Sequence, residues 1–269
     1  MKTYKRVLSI AGSDSGGGAG IQADLKTFGA LGCYGMTVIT AITAQNTLGV
    51  QGVWPMSVEC VGKQLDAVLS DIGADAVKIG MLWSEELSTV VAELLQKHRI
   101  ENVVFDPVMV AQSGDNLLSG SDSHRMIRHL APVAHVVTPN ITEASRLLGY
   151  EIPDYRTMEK AARDLSTWGF KHVLLKGGHL EGEGATDALY LSESDELILF
   201  PEKRVVTQNN HGTGCTLSSA IAAFLARGSD LKDACFLAKQ YITQALVKGA
   251  DYDLGKGHGP VHHFHGIWE

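Results

Sequence analysis

The sequence predicts an α/β fold: a mostly parallel central sheet between two helical layers, in one domain spanning residues 1–269. Three observations carry that prediction. Short β-branched runs alternate with amphipathic stretches along the whole chain. Polar residues collect where those runs end, at Asp14, Gln45, Asp106, Asn140 and Lys176, the edge at which doubly wound sheets bind ligands. Late in the chain, a polar glycine-rich segment from Thr207 turns at Thr216 into a small-residue helix.

Taken in order, residues 6–11 read as a short buried strand, followed by a glycine loop over 12–20 and a helix over 21–31. Ile21, Leu25, Phe28 and Leu31 share one face of that helix, and Gly32 ends it. Residues 36–44 form a continuous β-branched run, a central strand that feeds Gln45 and Asn46. After a short strand over 50–54, Ser57 caps a helix carrying Val61, Leu65, Val68, Leu69 and Ile72 at helical spacing. Strands follow at 75–79, 102–105, 135–138 and 172–175, with helices at 84–98, 123–130, 141–148 and 158–168 between them. Residues 188–191 and 197–200 read as a short antiparallel edge hairpin, and 231–247 as the last helix. The tail, with His258, His262, His263 and His265 among glycines and a proline, reads as a solvated loop rather than a metal site.

Composition narrows the function. A net charge of -7 with no basic cluster argues against a nucleic-acid partner. Cys33, Cys60, Cys215 and Cys235 lack CxxC spacing, so free thiols in a reducing compartment are expected. The apolar run after the basic start is too short for a signal peptide, and no stretch is long enough to span a bilayer; a cytoplasmic protein without membrane contact is the expectation. Gly18 and Gly20 fit a relaxed dinucleotide fingerprint, but no acidic residue stands about twenty positions on to take a ribose hydroxyl. A GxxxxGK[ST] phosphate loop is absent as well.

Gly212, Thr213, Gly214 and Cys215 lie where a helix begins, so backbone amides and the dipole can meet an anion there; the alternative is a plain turn with Thr213 as a cap. Cys215 on the first turn is expected to have a lowered thiol pKa, unless it is only a small buried residue. Asp106 precedes a proline at a strand end, which fixes its carboxylate at the ligand edge. Asn140 and Glu143 have the spacing of a capping box, and equally could hold Mg²⁺ against nucleotide phosphates. Lys176 beside Gly177 suits a phosphate contact or is simply solvated. Gln45 offers an adjacent donor and acceptor that could read an aminopyrimidine edge, or be satisfied by backbone.

These segments together resemble the hydroxymethylpyrimidine/phosphomethylpyrimidine kinases of the ribokinase-like superfamily. The likeness runs through residues 11–27, 44–46, 78–82, 106–109, 138–140, 176–179 and 211–216, nearly the whole chain. It implies a ribokinase-like three-layer α/β/α fold, ATP as co-substrate, Mg²⁺, and a homodimer. It implies that 4-amino-5-hydroxymethyl-2-methylpyrimidine is phosphorylated to its phosphate and then to its diphosphate in thiamine biosynthesis. Gln45 would pair with the pyrimidine, helped by Gly12 and Asp24, with Met81 and Val108 against the ring. Residues 212–215 would bind the transferring phosphate, Lys176 and Asn140 the nucleotide, and Asp106 and Glu143 the metal. Many sugar kinases of the superfamily carry an aspartate base where Cys215 stands, so amide stabilisation is expected to dominate here. Gln208, Asn209 and Asn210 depart from the lysine and threonine common in relatives, and no contact is assigned to them. The alternative within the superfamily is a pyridoxal kinase, whose members do not typically keep residues 44–46. Outside it, a ligand sensor without turnover is disfavoured by Asp106, Asn140, Glu143 and the glycine loop.

Overall fold

The computed structural model describes residues 2–108, 122–178, 180 and 184–268; Met109 and His179, which close two of the motifs, lie outside them. The strands are β1 (Arg6–Asp14), β2 (Tyr34–Asn46), β3 (Gly49–Pro55), β4 (Ala76–Ile79), β5 (Val103–Phe105), β6 (Val136–Val137), β7 (His172–Leu175), β8 (Asp187–Leu191) and β9 (Glu196–Phe200). The helices are α1 (Gly20–Ala30), α2 (Val58–Asp71), α3 (Glu85–Lys97), α4 (Asp122–Leu130), α5 (Ile141–Leu148), α6 (Tyr155–Ser166), α7 (Thr213–Ala226) and α8 (Leu231–Gly249).

Among the described residues the strands make one sheet in the order β3-β2-β1-β4-β5-β6-β7-β8-β9. Neighbours from β2 through β7 run parallel, while β2–β3, β7–β8 and β8–β9 are antiparallel. Order reverses at β1, which pairs with β2 on one side and β4 on the other, so a crevice opens at the carboxyl ends of these strands.

Strand alternation sorts the core into two layers. Leu8, Ile10, Val77, Ile79 and Phe105 pack with Leu65, Leu87, Leu130, Leu147 and Leu165 of α2 to α6. Val7, Ala76 and Val104 point the other way, onto Phe28 of α1, Ala220 and Phe224 of α7, and Ile242 of α8. Every residue of α7 from Thr216 to Ala226 is buried, which is why its side chains are small. The three-layer α/β/α architecture read from the sequence is present, with the expected β8–β9 hairpin.

The structure corrects the sequence reading at several places. The run over 36–44 is not central: β2 is second from the edge and folds back onto β3 through a bulge between Ala44 and Gln45. The long helix begins at Thr213 rather than Thr216, because Gly212 takes the left-handed φ of 81° that turns the chain into it. The tail is solvated only in part: residues 251–256 and His258 are exposed, but the segment after them packs onto the fold. His211 pairs with Pro260 as a parallel bridge, Val261 and His263 are buried, and His258 N donates to Thr47 O at 2.9 Å. The tail thus straps the β2–β3 turn to the start of α7. The four cysteines are free thiols.

Candidate active site

The first turn of α7 has no side-chain cap. Thr213, the expected cap, instead donates its hydroxyl to Asn210 O at 2.6 Å. A Cβ on Gly212 would lie 1.8 Å from Gly18 O, so only glycine lets the two glycine loops touch there. The first turn of α7, with the positive end of its dipole, borders a cavity of about 550 Å³, although the Thr213 amide itself donates to Asn210 O at 3.3 Å. Gly212, Thr213, Gly214 and Cys215 all line it.

Beside this turn is an ion pair whose carboxylate is buried. Lys176 Nζ donates to Asp106 Oδ1 at 2.8 Å, and Ser218 donates to Asp106 Oδ2 at 3.2 Å. Burial works against ionisation of Asp106, yet Lys176 and the more distant Lys78 outweigh it and hold the carboxyl below its usual range. Burial likewise opposes the Lys176 charge, and Asp106 with Glu143 reverses the sign, so its pKa is raised. A Cβ on Gly214 would sit 3.3 Å from Lys176 Nζ and 3.6 Å from Asp106 Oδ2. Glycine at this position keeps the pair open to the first turn of α7.

Two expectations fail here for electrostatic and steric reasons. The Cys215 thiol is raised, not lowered: burial is the largest effect, Asp24 and Asp106 add to it, and the opposing pull of Lys78 and the Gly20 amide is weaker. Asp24 does not reach the cavity wall. It is fully buried in an ion pair with Lys78, 2.9 Å from each carboxylate oxygen, and accepts from Ser9 at 2.5 Å and Ser219 at 2.7 Å. Lys78 lines the cavity in its place. Burial opposes its charge, but Asp24, Cys215 and Asp106 outweigh that and leave its pKa raised. The sequence did hold a signal for Lys78, a lone cation inside the apolar run of β4, and for Ser218 and Ser219, polar residues within a buried helix.

Asn140 and Glu143 realise the capping box: Asn140 Oδ1 accepts from Glu143 N at 2.9 Å, and Glu143 Oε2 from Asn140 N at 2.7 Å. Capping does not exclude a second role, since both residues also line the cavity with Asp106 and Lys176. Among the described residues no group of three or more His, Cys, Asp or Glu converges as a protein-made metal site. Two carboxylates and an amide lining one cavity instead fit Mg²⁺, which takes few protein ligands and completes its shell with water and phosphate.

Gly12 of β1 and Gln45 of β2 also line the cavity, with Met81 just after β4 and Val108 just after β5. The Met81 sulfur would be 3.4 Å from a Cβ on Gly12, so that glycine keeps the floor low. The glycine loop between β1 and α1 is not an anion site, because its amides are already taken: Gly16, Gly18 and Ala19 donate to the Asp14 carboxylate at 2.8, 3.0 and 2.8 Å. Asp14 in turn meets His211 Nε2 at 2.9 Å. Sequence reasoning placed Asp14 at the ligand edge but could not pair it with His211, which stands 197 positions away. Leu217, Ile242 and Leu246 also line the cavity, together with the charged Glu202, Lys203 and Arg204 and the Lys239–Asp187 pair at 2.8 Å.

The phosphomethylpyrimidine kinase family model matches residues 14–262. A hydroxymethylpyrimidine/phosphomethylpyrimidine kinase of Rhizobium meliloti is 51% identical over 263 residues, covering 97% of this chain and 98% of that one. Among solved structures, a phosphomethylpyrimidine kinase of Clostridium difficile aligns with a TM-score of 0.79 and 45% identity, over 90% of this chain and 99% of that one. A pyridoxal kinase of Staphylococcus aureus, in complex with AMP-PCP and pyridoxal, aligns with a TM-score of 0.87 and 36% identity, over 98% and 94%.

Proposed function

The chain belongs to the phosphomethylpyrimidine kinase family and has its ribokinase-like fold, and from that premise we propose how its cavity works. As a kinase of this family it uses ATP to phosphorylate hydroxymethylpyrimidine and then hydroxymethylpyrimidine phosphate, in thiamine biosynthesis. The observation that carries the site assignment is that the uncapped first turn of α7, the Gln45 side chain and the Asp106–Lys176 pair all line one cavity.

In this reading Gln45 pairs with the aminopyrimidine edge, while Met81, Val108 and Gly12 bound the ring and place the 5-hydroxymethyl group toward residues 212–215. The amides there hold the transferring phosphoryl group where its charge develops. Lys176 and Asn140 meet the nucleotide phosphates, and the base lies by Leu217, Ile242 and Leu246. Asp106 and Glu143 would hold Mg²⁺, directly or through water, and the chemistry supplied there would be neutralisation of phosphate charge. The raised thiol of Cys215 is a poor general base at neutral pH, so positioning and amide stabilisation supply most of the rate. Asp24 supports the site from behind by holding Lys78.

The whole of residues 1–269 acts as one kinase domain, and family membership supports a cytoplasmic homodimer acting on small molecules alone. No helix among the described residues is long and apolar enough to cross a membrane. A second reading, pyridoxal phosphorylation, is favoured by the likeness to the S. aureus enzyme bound to pyridoxal. Purified protein with ATP and Mg²⁺ decides between them. The aminopyrimidine should be phosphorylated twice and at a higher kcat/KM than pyridoxal; absence of turnover on the pyrimidine rejects the assignment.

A further inference from the structure

Gln45 is held by neighbours whose chemistry dictates which way its amide stands. Its side-chain nitrogen lies 3.3 Å from His211 Nε2, and its oxygen 3.3 Å from Thr43 Oγ1. The same His211 nitrogen is 2.9 Å from Asp14 Oδ2. Asp14 is buried, which would raise its pKa, but His211 and the loop amides outweigh burial and keep it a carboxylate. A carboxylate only accepts, so His211 Nε2 carries the proton between them whether the ring is neutral or charged. That nitrogen then has no lone pair for a glutamine NH₂, and two donors would face each other; an amide oxygen turned there instead shares the one Nε2–H with Asp14 in a three-centre bond.

Thr43 leads to the same conclusion from the other side. Its hydroxyl has one proton, and Ser13 O accepts it at 2.8 Å. What Thr43 Oγ1 has left for Gln45 is a lone pair, which calls for a donor rather than the amide oxygen. The nitrogen and oxygen of a carboxamide have nearly the same shape, so the surrounding hydrogen bonds decide between the two orientations. Both neighbours ask for the oxygen on His211 and the NH₂ on Thr43.

We propose that the Asp14–His211 pair, with Thr43, locks the Gln45 carboxamide with its oxygen toward His211 Nε2, making His211 the positioning residue for pyrimidine specificity. The inference rests on Gln45 reading the substrate. With one site of each amide atom used inside the protein, one acceptor and one donor remain side by side. A ring nitrogen next to an exocyclic amine matches that pair; a pyridine ring without such an amine does not.

The test measures kcat and KM for the aminopyrimidine and for pyridoxal in the full-length protein. His211→Leu should raise the aminopyrimidine KM about tenfold or more, the loss being carried by KM rather than kcat. His211→Gln, which keeps an N–H near the Nε2 position, should bring KM back to within about threefold of the parent. In a Gln45→Ala background, His211→Leu should add nothing further. Should the leucine variant fail to fold, His211→Asn, whose donor stops short, takes its place in the same comparison. The lock is overturned if His211→Leu raises KM for both substrates equally, adds its full effect on top of Gln45→Ala, or leaves the aminopyrimidine KM unchanged while Gln45→Ala raises it. If Gln45→Ala itself leaves that KM unchanged in an active kinase, the substrate role of Gln45 falls, and this inference with it.

Discussion

Lys176 Nζ, on a side chain 13% exposed, and the buried Asp106 Oδ1 lie 2.8 Å apart at the ends of two strands that are not neighbours in the sheet. The pair joins β5 to β7 across β6 and aims its charges at the start of α7. Removing either member strands the other's charge in a poorly hydrated place, and each of Asp106→Asn and Lys176→Met should cost about 3 kcal/mol or more in urea unfolding. The double variant should recover part of that loss, because neither charge is left alone. Activity should not recover: kcat of Asp106→Asn should fall about 10²–10³-fold, and the double variant should be no faster.

Gly212 and Gly214 make opposite predictions although they stand two residues apart. Alanine at 212 would be strained by φ 81° and would bring its Cβ 1.8 Å from the rigid backbone oxygen of Gly18. Gly212→Ala should therefore lose more than about 2 kcal/mol of stability or fail to fold. At 214 the nearest obstacle is the Lys176 ammonium, the mobile end of a flexible side chain. Gly214→Ala should fold with a near-parental urea midpoint and lose turnover, with KM for ATP raised. Equal stability losses in the two variants would contradict this account.

Where the sequence was legible, the signal was local. An apolar run ending in one polar residue located Asp106 and Lys176 at strand ends, and the Asn140–Glu143 spacing announced a capping box that the structure contains. What could not be read depends on partners far along the chain. Burial of Lys78 against Asp24, and of His263 against Thr216, follows only once α1, α7 and the tail are packed together. The sign of the Cys215 shift has the same origin: the dipole at a helix start is visible in sequence, but the burial that chiefly raises the thiol, and the carboxylates of Asp24 and Asp106 that add to it, are not. The β2–β3 pairing escaped notice because exposed positions such as Ile42 and Trp54 blur the alternation of an edge strand.

Cys215 tests whether the raised thiol matters to chemistry. A general base must lose its proton near working pH, and burial with two nearby carboxylates pushes this thiol the other way. Cys215→Ser keeps the size of the group and the backbone amides of α7. Its kcat should fall less than about tenfold, with no new inflection in the pH–rate profile between about pH 6 and 9. A loss of several orders of magnitude would make the thiolate an obligatory base and remove amide stabilisation from first place.

Acid should unfold the protein through two histidines outside the substrate cavity. His172 opens β7 with its ring against His135, and its Nδ1 is buried without a hydrogen-bond partner. His263 lies under α7, with its Nε2 3.1 Å from Thr216 Oγ1. Burial is the main cause that pushes His172 down to about 4 and His263 to about 3, with His135 and Lys26 adding to the two shifts respectively. Both folded values are depressed, so the stability these groups contribute is complete above the unfolded pKa of about 6.5. Below that pH the unfolded chain takes up protons that the fold excludes, and stability falls until the folded values are reached. Between about pH 7 and pH 5 each imidazole accounts for a loss on the order of 2 kcal/mol. Urea midpoints across that range should fall steeply in the parent and less steeply in His172→Gln and in His263→Gln, each variant removing its own share. An unchanged slope in both variants would place the acid sensitivity elsewhere.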